Sequence, residues 1–172
     1  MHFVRNALLG TKGRREVTRV AVIGIGQSLR GDDAAGLEAV RQWQEKFPET
    51  ANRPEVQVEA SELPGLSLIE MLNDVDAAIL VDAVQSSAKP GTIHRLSEEE
   101  LAAFTSGAKS AHGWGVAETL RMRSQLTDAK VNIRLIGIEA EQMELGAMLS
   151  KAVEDALPDI CKVIEEEIHA SL

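Results

Sequence analysis

The sequence has a single cysteine, Cys161, among its 172 residues. One thiol excludes both an intrachain disulfide bond and a zinc site built from cysteine ligands. Cys161 falls in the apolar repeat of the last predicted helix, where we expect a packed thiol and not a nucleophile. The sequence also has no H-E-x-x-H and no G-x-S-x-G motif, so it lacks the signatures of common zinc peptidases and serine hydrolases.

Long apolar runs and a basic surface are missing as well. No segment approaches the roughly 20 apolar residues that a membrane-spanning helix needs, and the apolar stretch at the N-terminus is too short for a signal peptide. We therefore expect a cytoplasmic protein without membrane contact. The formal net charge of -9 repels a phosphate backbone, which argues against binding of nucleic acid.

The basic residues cluster only near the N-terminus, at Lys12, Arg14, Arg15 and Arg19. We expect residues 1–18 to form a flexible arm. The length of the chain favours one domain, and no linker or internal repeat divides it. Residues 19–172 are therefore predicted to form a single domain.

Strand and helix signals alternate along this domain. Apolar runs predict strands at residues 19–24 and 77–81, and a last strand is predicted at 131–138. Alternation of apolar and polar residues predicts a strand at 56–58, and the turn signal at 89–91 precedes a short strand at 92–96. Capping residues and apolar residues at helical spacing predict helices that start near Asp32 or Asp33, at Leu66, at the capping box of Ser97 and Glu100, at Ser110, and at Ser150 with an interruption or restart at Pro158. This alternation indicates a largely parallel sheet covered by helices on both faces, with ligands beyond the carboxyl ends of its strands.

Three stretches carry polar residues that could form a site. Asp32 and Asp33 close a glycine-rich stretch after the first strand, Asp82 ends the most apolar run, and His112 stands among glycines at the start of a helix. Each has a simpler explanation, because the aspartates are also common as helix caps or turn residues and a histidine is often structural. If the fold brings Asp33, Asp82 and His112 together, two carboxylates and one imidazole suit a divalent transition metal with open coordination positions. For His2, His94 and His169 the sequence indicates no plausible set of partners.

An ordered set of motifs resembles the hydrogenase maturation proteases. The motifs run from about Val20 to the last helix: GIGQSLRGDDAAG at 24–36, VDAV at 81–84, PGT at 90–92, SAH at 110–112, IGI at 136–138, MELG at 143–146 and LS at 149–150. The resemblance implies a three-layer α/β/α sandwich around a twisted, mostly parallel mixed sheet of about five strands.

The resemblance also implies a function. The expected activity is that of an endopeptidase that removes the C-terminal peptide of a nickel-loaded hydrogenase large-subunit precursor. The nickel belongs to this client, so no intrinsic cofactor is expected, and Asp33, Asp82 and His112 match the positions that contact the metal. We expect a monomer that meets its client transiently.

The resemblance specifies the residues that contact the metal more closely than those that carry out the catalytic step. Water is expected to attack the scissile amide, with Asp33 as a candidate general base. The candidate substrate contacts are Gln27, where the family often has asparagine, and Glu62, for which an exposed loop residue is the simpler explanation. The loop at 59–65 that contains Glu62 lacks the Asp-Gly-Gly-Thr sequence of some family branches, which leaves the identity of the client open.

Three alternatives remain at this point. A non-catalytic nickel-binding or chaperone module would use the same three residues, and a peptidase of the same fold would act on another client. A dinucleotide-binding domain is suggested by Gly24 and Gly26 after a strand, but the third glycine, Gly31, comes one place too late for G-x-G-x-x-G.

Overall fold

The computed structural model describes residues 17–62, 65–105 and 115–172. Most of the predicted N-terminal arm therefore lies outside the described residues. A five-stranded sheet has the order β2-β1-β3-β5-β4. Its strands are β1 (Val20–Ile25), β2 (Val56–Ser61), β3 (Ala77–Val84), β4 (Ile93–Ser97) and β5 (Asn132–Glu139). All pairs are parallel except β4 with β5, so the predicted mostly parallel mixed sheet is confirmed.

In the part of the chain that the structure describes, six α-helices cover both faces of this sheet. They are α1 (Ala35–Lys46), α2 (Pro48–Ala51), α3 (Leu66–Met71), α4 (Glu98–Thr105), α5 (Val116–Leu126) and α6 (Lys151–Ser171). On one face α1 and α6 bury Trp43 and Ile160 against Val22 and Ile79. On the other face α3, α4 and α5 bury apolar side chains such as Leu101 against the opposite side of the strands. A strand that is covered on both faces has a continuous apolar sequence. This holds for β1, because all six of its residues are buried. The three-layer arrangement is confirmed.

Two of the predicted helix starts are confirmed by their caps. The amide N–H of Ser97 donates to Glu100 Oε2 at 2.7 Å, and the amide N–H of Glu100 donates to Ser97 Oγ at 3.2 Å. This reciprocal pair is the capping box that the sequence predicts. The Ser150 hydroxyl accepts from the Val153 amide at 3.3 Å and caps α6. Ser110 lies outside the described residues, and α5 begins at Val116 after Gly115.

Three predicted boundaries are wrong. A 3₁₀ turn at Gly31–Ala34 contains Asp32 and Asp33, so α1 begins only at Ala35. Helix α6 is uninterrupted at Pro158, because its buried stripe on both sides of the proline stabilises the helix despite one missing backbone hydrogen bond. The apolar strand does not end at Asp82, since Asp82 lies within β3 and pairs with Gly137.

The strand order places a topological switch point between β1 and β3, where the connections from two neighbouring strands lead in opposite directions along the sheet. The connection that leaves β1 leads to β2 on one side, whereas the connection that leaves β3 leads towards β4 on the other side. In open α/β sheets, ligands bind in the crevice at the carboxyl ends of two such strands. Among the helices of the described ranges, none is both long and apolar enough to cross a membrane.

Candidate active site

Asp33 and Asp82 lie at this switch point because α1 packs directly on the two strands. A Cβ atom on Gly36 would come within 2.1 Å of the Val81 carbonyl oxygen and 2.3 Å of the Ile25 carbonyl oxygen. Only glycine allows so close an approach. Asp33 precedes Gly36 by one turn and Asp82 follows Val81, so the approach brings both aspartates to the same corner of the sheet.

The loop after β1 folds against the turn that carries Asp33. Gly26 has a φ of 149°, and a Cβ atom there would lie 1.8 Å from the backbone oxygen of Asp33. The side chain of Asp33 is only 1 % exposed, and that of Asp82 is half-buried. Partly desolvated carboxylates interact strongly with a cation, because little water competes for them.

Asp32 has a different role from its neighbour. Its buried carboxylate accepts hydrogen bonds from the backbone N–H groups of Glu141 at 2.8 Å, Gln142 at 3.1 Å and Ser150 at 2.6 Å. These groups lie in the connection between β5 and α6, more than 100 residues away in the sequence. The alternative that Asp32 caps the helix that follows it is therefore wrong. Asp32 fixes the turn with Asp33 to a distant part of the chain.

The same turn is unsuited to a dinucleotide. A pyrophosphate would need free backbone N–H groups, as at the start of a Rossmann helix. Here Gly31 N–H donates to the Ala147 carbonyl at 3.1 Å, Asp32 N–H to the Gln142 carbonyl at 2.8 Å, and Asp33 N–H to the Arg30 carbonyl at 3.1 Å. These three donors are already used within the protein, and two carboxylates stand beside them.

The two candidate substrate contacts, Gln27 and Glu62, lie at the same edge of the sheet. Gln27 follows β1 and is half-buried, and its carbonyl oxygen accepts from Arg30 N–H at 3.2 Å. Glu62 follows β2 and is exposed. The pairing of Ser61 with Ile25 places Glu62 next to the loop after β1.

His112 lies outside the described residues. Within 17–62, 65–105 and 115–172, no group of three His, Cys, Asp or Glu side chains is arranged to hold a metal ion. The described part of the site thus supplies two carboxylates, Asp33 and Asp82.

Cys161 is fully buried, with its Sγ 3.7 Å from the Ala39 carbonyl oxygen, and burial raises the pKa of the thiol. The prediction of a packed thiol is confirmed.

His94 has partners that the sequence analysis missed, so the prediction that it has none is wrong. Its Nε2 lies 2.9 Å from Oε2 of Glu139, and its ring packs on that of Phe104 with a centroid distance of 5.0 Å. Glu139 also accepts from the amide and hydroxyl groups of Ser86. These partners come from three other segments, so local spacing carries no signal for them. The available clue was that Glu139, like Asp82, is a carboxylate that follows the apolar run of a buried strand.

Comparison with known proteins identifies the family. The family model "HycI: Hydrogenase maturation protease" matches residues 44–167. The hydrogenase expression/formation protein HupD of Thiocapsa roseopersicina is 27 % identical over 145 residues, which cover 83 % of this chain and 64 % of that protein. This chain thus spans just under two thirds of the length of that relative. The hydrogenase 2 maturation protease of Escherichia coli (strain K12) is 25 % identical over 155 residues, which cover 86 % of this chain and 92 % of that protein.

Solved structures are similar as well. The [NiFe] hydrogenase maturation protease HybD from Thermococcus kodakarensis is 27 % identical with a TM-score of 0.69, and the match covers 87 % of this chain and 98 % of that one. The maturating endopeptidase HybD from E. coli has the same fold, with a TM-score of 0.76 at 23 % identity, over 90 % of this chain and 94 % of that one. Because the family model spans most of the chain, this protein belongs to the hydrogenase maturation protease family.

Proposed function

We propose that this protein is an endopeptidase that removes the C-terminal peptide of a nickel-loaded hydrogenase large-subunit precursor. The observation that carries the proposal is the close approach of α1 to the ends of β1 and β3, which brings Asp33 and Asp82 to the switch point of the sheet in a chain of this family. Ligands bind at this place in open α/β sheets.

Nickel acts in this proposal as part of the substrate. Asp33, Asp82 and His112 contact the metal of the client, and the metal docks the tail in the crevice. Carboxylates and an imidazole form a suitable donor set for a divalent transition metal. The protein carries no metal of its own, and it acts in the cytoplasm as a monomer. Gln27 and Glu62, which border the crevice, contact the tail.

The chemical step is hydrolysis of one amide bond. A water oxygen adds to the carbonyl carbon, its proton passes to a base, and the leaving nitrogen takes up a proton as the C–N bond breaks. Asp33 is our candidate for the base. A carboxylate oxygen bound to metal is a weaker base than a free one, so in this scheme Asp33 contacts the metal through one carboxylate oxygen and faces the water with the other.

The test is intact-mass analysis of a nickel-loaded precursor incubated with the protein. Wild type releases one discrete C-terminal peptide, and the nickel-free precursor keeps its mass. Asp82→Asn keeps the shape of the side chain but removes its charge, and it leaves the precursor uncut. Asp159→Asn is the matched control, because Asp159 is an exposed aspartate of α6 paired with Lys162, and this variant cleaves like wild type.

Other outcomes would replace the proposal. If the wild-type protein binds the loaded precursor but never changes its mass, the chain is a nickel-binding or chaperone module. If it cuts a different protein with the same dependence on Asp82, it is a peptidase with another client. If Asp33→Asn cleaves at the wild-type rate, Asp33 is not the base.

A further inference from the structure

A buried carboxylate–imidazole pair lies near Asp82, and the proposed cleavage does not use it. Glu139, the last residue of β5, is 2 % exposed, and the side chain of His94 is 17 % exposed. Glu139 accepts from the Ser86 amide at 2.6 Å, from the Ser86 hydroxyl at 2.8 Å and from His94 Nε2 at 2.9 Å. A buried carboxylate needs such donors to replace the water that it has lost.

The register of the sheet places this pair beside Asp82. Asp82 of β3 pairs with Gly137 of β5, and Gly137 pairs with His94 of β4. Residues in one such row point to the same face, so Asp82 and His94 lie on one face with only a glycine between them. Two residues further along the same strands, Val84 pairs with Glu139. A Cβ atom on Gly137 would lie 3.1 Å from Val84 and 3.5 Å from His94, so this part of the sheet is closely packed.

Glu139 holds the connection that leaves β3 at both of its ends. Its carboxylate binds Ser86 at the start of the connection. Its backbone N–H donates to the Thr92 carbonyl at 2.9 Å, and its carbonyl accepts from Gly91 N–H at 2.8 Å at the end. His94 donates to the same carboxylate and packs on Phe104 of α4. The cluster therefore ties the exit from β3 to β5, β4 and α4.

We propose that Glu139 and His94 are positioning residues that hold the carboxyl end of β3, and with it Asp82, in the geometry needed for cleavage. This inference rests on the proposed function. Outer groups that hold a metal-binding carboxylate in place fix its orientation, and their loss typically lowers metal affinity or activity. Glu139 and His94 act here through the backbone at the carboxyl end of β3. Asp32 acts in the same way on the turn of Asp33. A buried carboxylate therefore holds the backbone near each of the two aspartates in place.

The experiment compares His94→Ala, His94→Gln and a matched control, His169→Ala. His169 forms the same kind of pair with Glu165 at 3.0 Å, but on α6 at the other face of the sheet. In the precursor-cleavage assay, His94→Ala lowers kcat on the order of tenfold, with KM within about twofold of wild type. The amide of His94→Gln donates to Glu139 again and restores most of kcat. His169→Ala behaves like wild type.

Hydrogen exchange at the Ser86 amide gives a second readout that needs no substrate. The rate rises by at least about threefold in His94→Ala and not in His169→Ala. A wild-type kcat in His94→Ala, an unchanged Ser86 exchange rate, or a folded His94→Gln that stays as slow as His94→Ala would each overturn the positioning role. If wild type cuts no nickel-loaded precursor, the proposed function fails, and the exchange rates still decide whether the cluster holds the exit from β3.

Discussion

Replacement of Asp32 by alanine is expected to destabilise the fold strongly, although Asp32 has no direct part in the proposed chemistry. Its carboxylate is fully buried and accepts three backbone hydrogen bonds from the connection between β5 and α6. Alanine leaves all three donors without this acceptor. The Ser150 N–H donor is buried, whereas the bonds from Glu141 and Gln142 are only partly buried, so water can reach those two donors.

The magnitude follows from the cost of an unsatisfied donor. A buried donor that loses its partner costs about 1–3 kcal/mol. With about 2 kcal/mol for the Ser150 amide and about 1 kcal/mol for each of the others, the loss is about 4 kcal/mol. That is a large share of the roughly 5–15 kcal/mol by which domains are stable. Asp32→Asn keeps one acceptor oxygen, and we expect it to lose about half as much.

Urea unfolding followed by the fluorescence of buried Trp43 measures this loss. With a slope of about 2 kcal/mol per molar urea, the midpoint of Asp32→Ala falls by about 2 M. Asp159→Ala serves as control, because this exposed ion pair with Lys162 contributes little, and its midpoint stays at the wild-type value. A shift below about 0.5 M for Asp32→Ala would refute the reasoning, since it would mean that the three bonds do not anchor the turn.

Two further predictions test the packing on the α1 side of the sheet. Gly36→Ala places a methyl group 2.1 Å from the Val81 carbonyl oxygen, so we expect a loss of about 3 kcal/mol or no folded protein, whereas unchanged unfolding would contradict the close approach. Burial raises the pKa of the Cys161 thiol above its usual value of 9.0, so the unfolded chain ionises first. Stability relative to Cys161→Ala is therefore fully present below pH 9.0 and is lost as the pH rises towards the folded-state pKa, which unfolding curves at several pH values measure. A difference that does not change with pH would show that the thiol is not desolvated.

Local signals in the sequence were sufficient for most of the secondary structure. The capping box of Ser97 and Glu100 and the N-cap at Ser150 involve residues three positions apart, so the interaction that forms them is visible in the sequence. Apolar runs likewise predicted β1 and β3, because a strand buried on both faces has no polar alternation. The edge strands β2 and β4 are only partly buried, and alternation and a turn signal predicted them. Where local rules failed, tertiary contacts overrode them, as in α6, which continues through Pro158.

The sequence by itself determined the α/β class, the order of the strands and helices along the chain, and the candidacy of Asp33 and Asp82. Only the tertiary structure separated Asp32 from Asp33 and joined His94 to Glu139. The partners of Asp32 are 109 to 118 residues away, and those of Glu139 are 45 and 53 residues away. A helix or strand is specified by neighbours along the chain, whereas the partner of a buried carboxylate depends on which segments the sheet brings together.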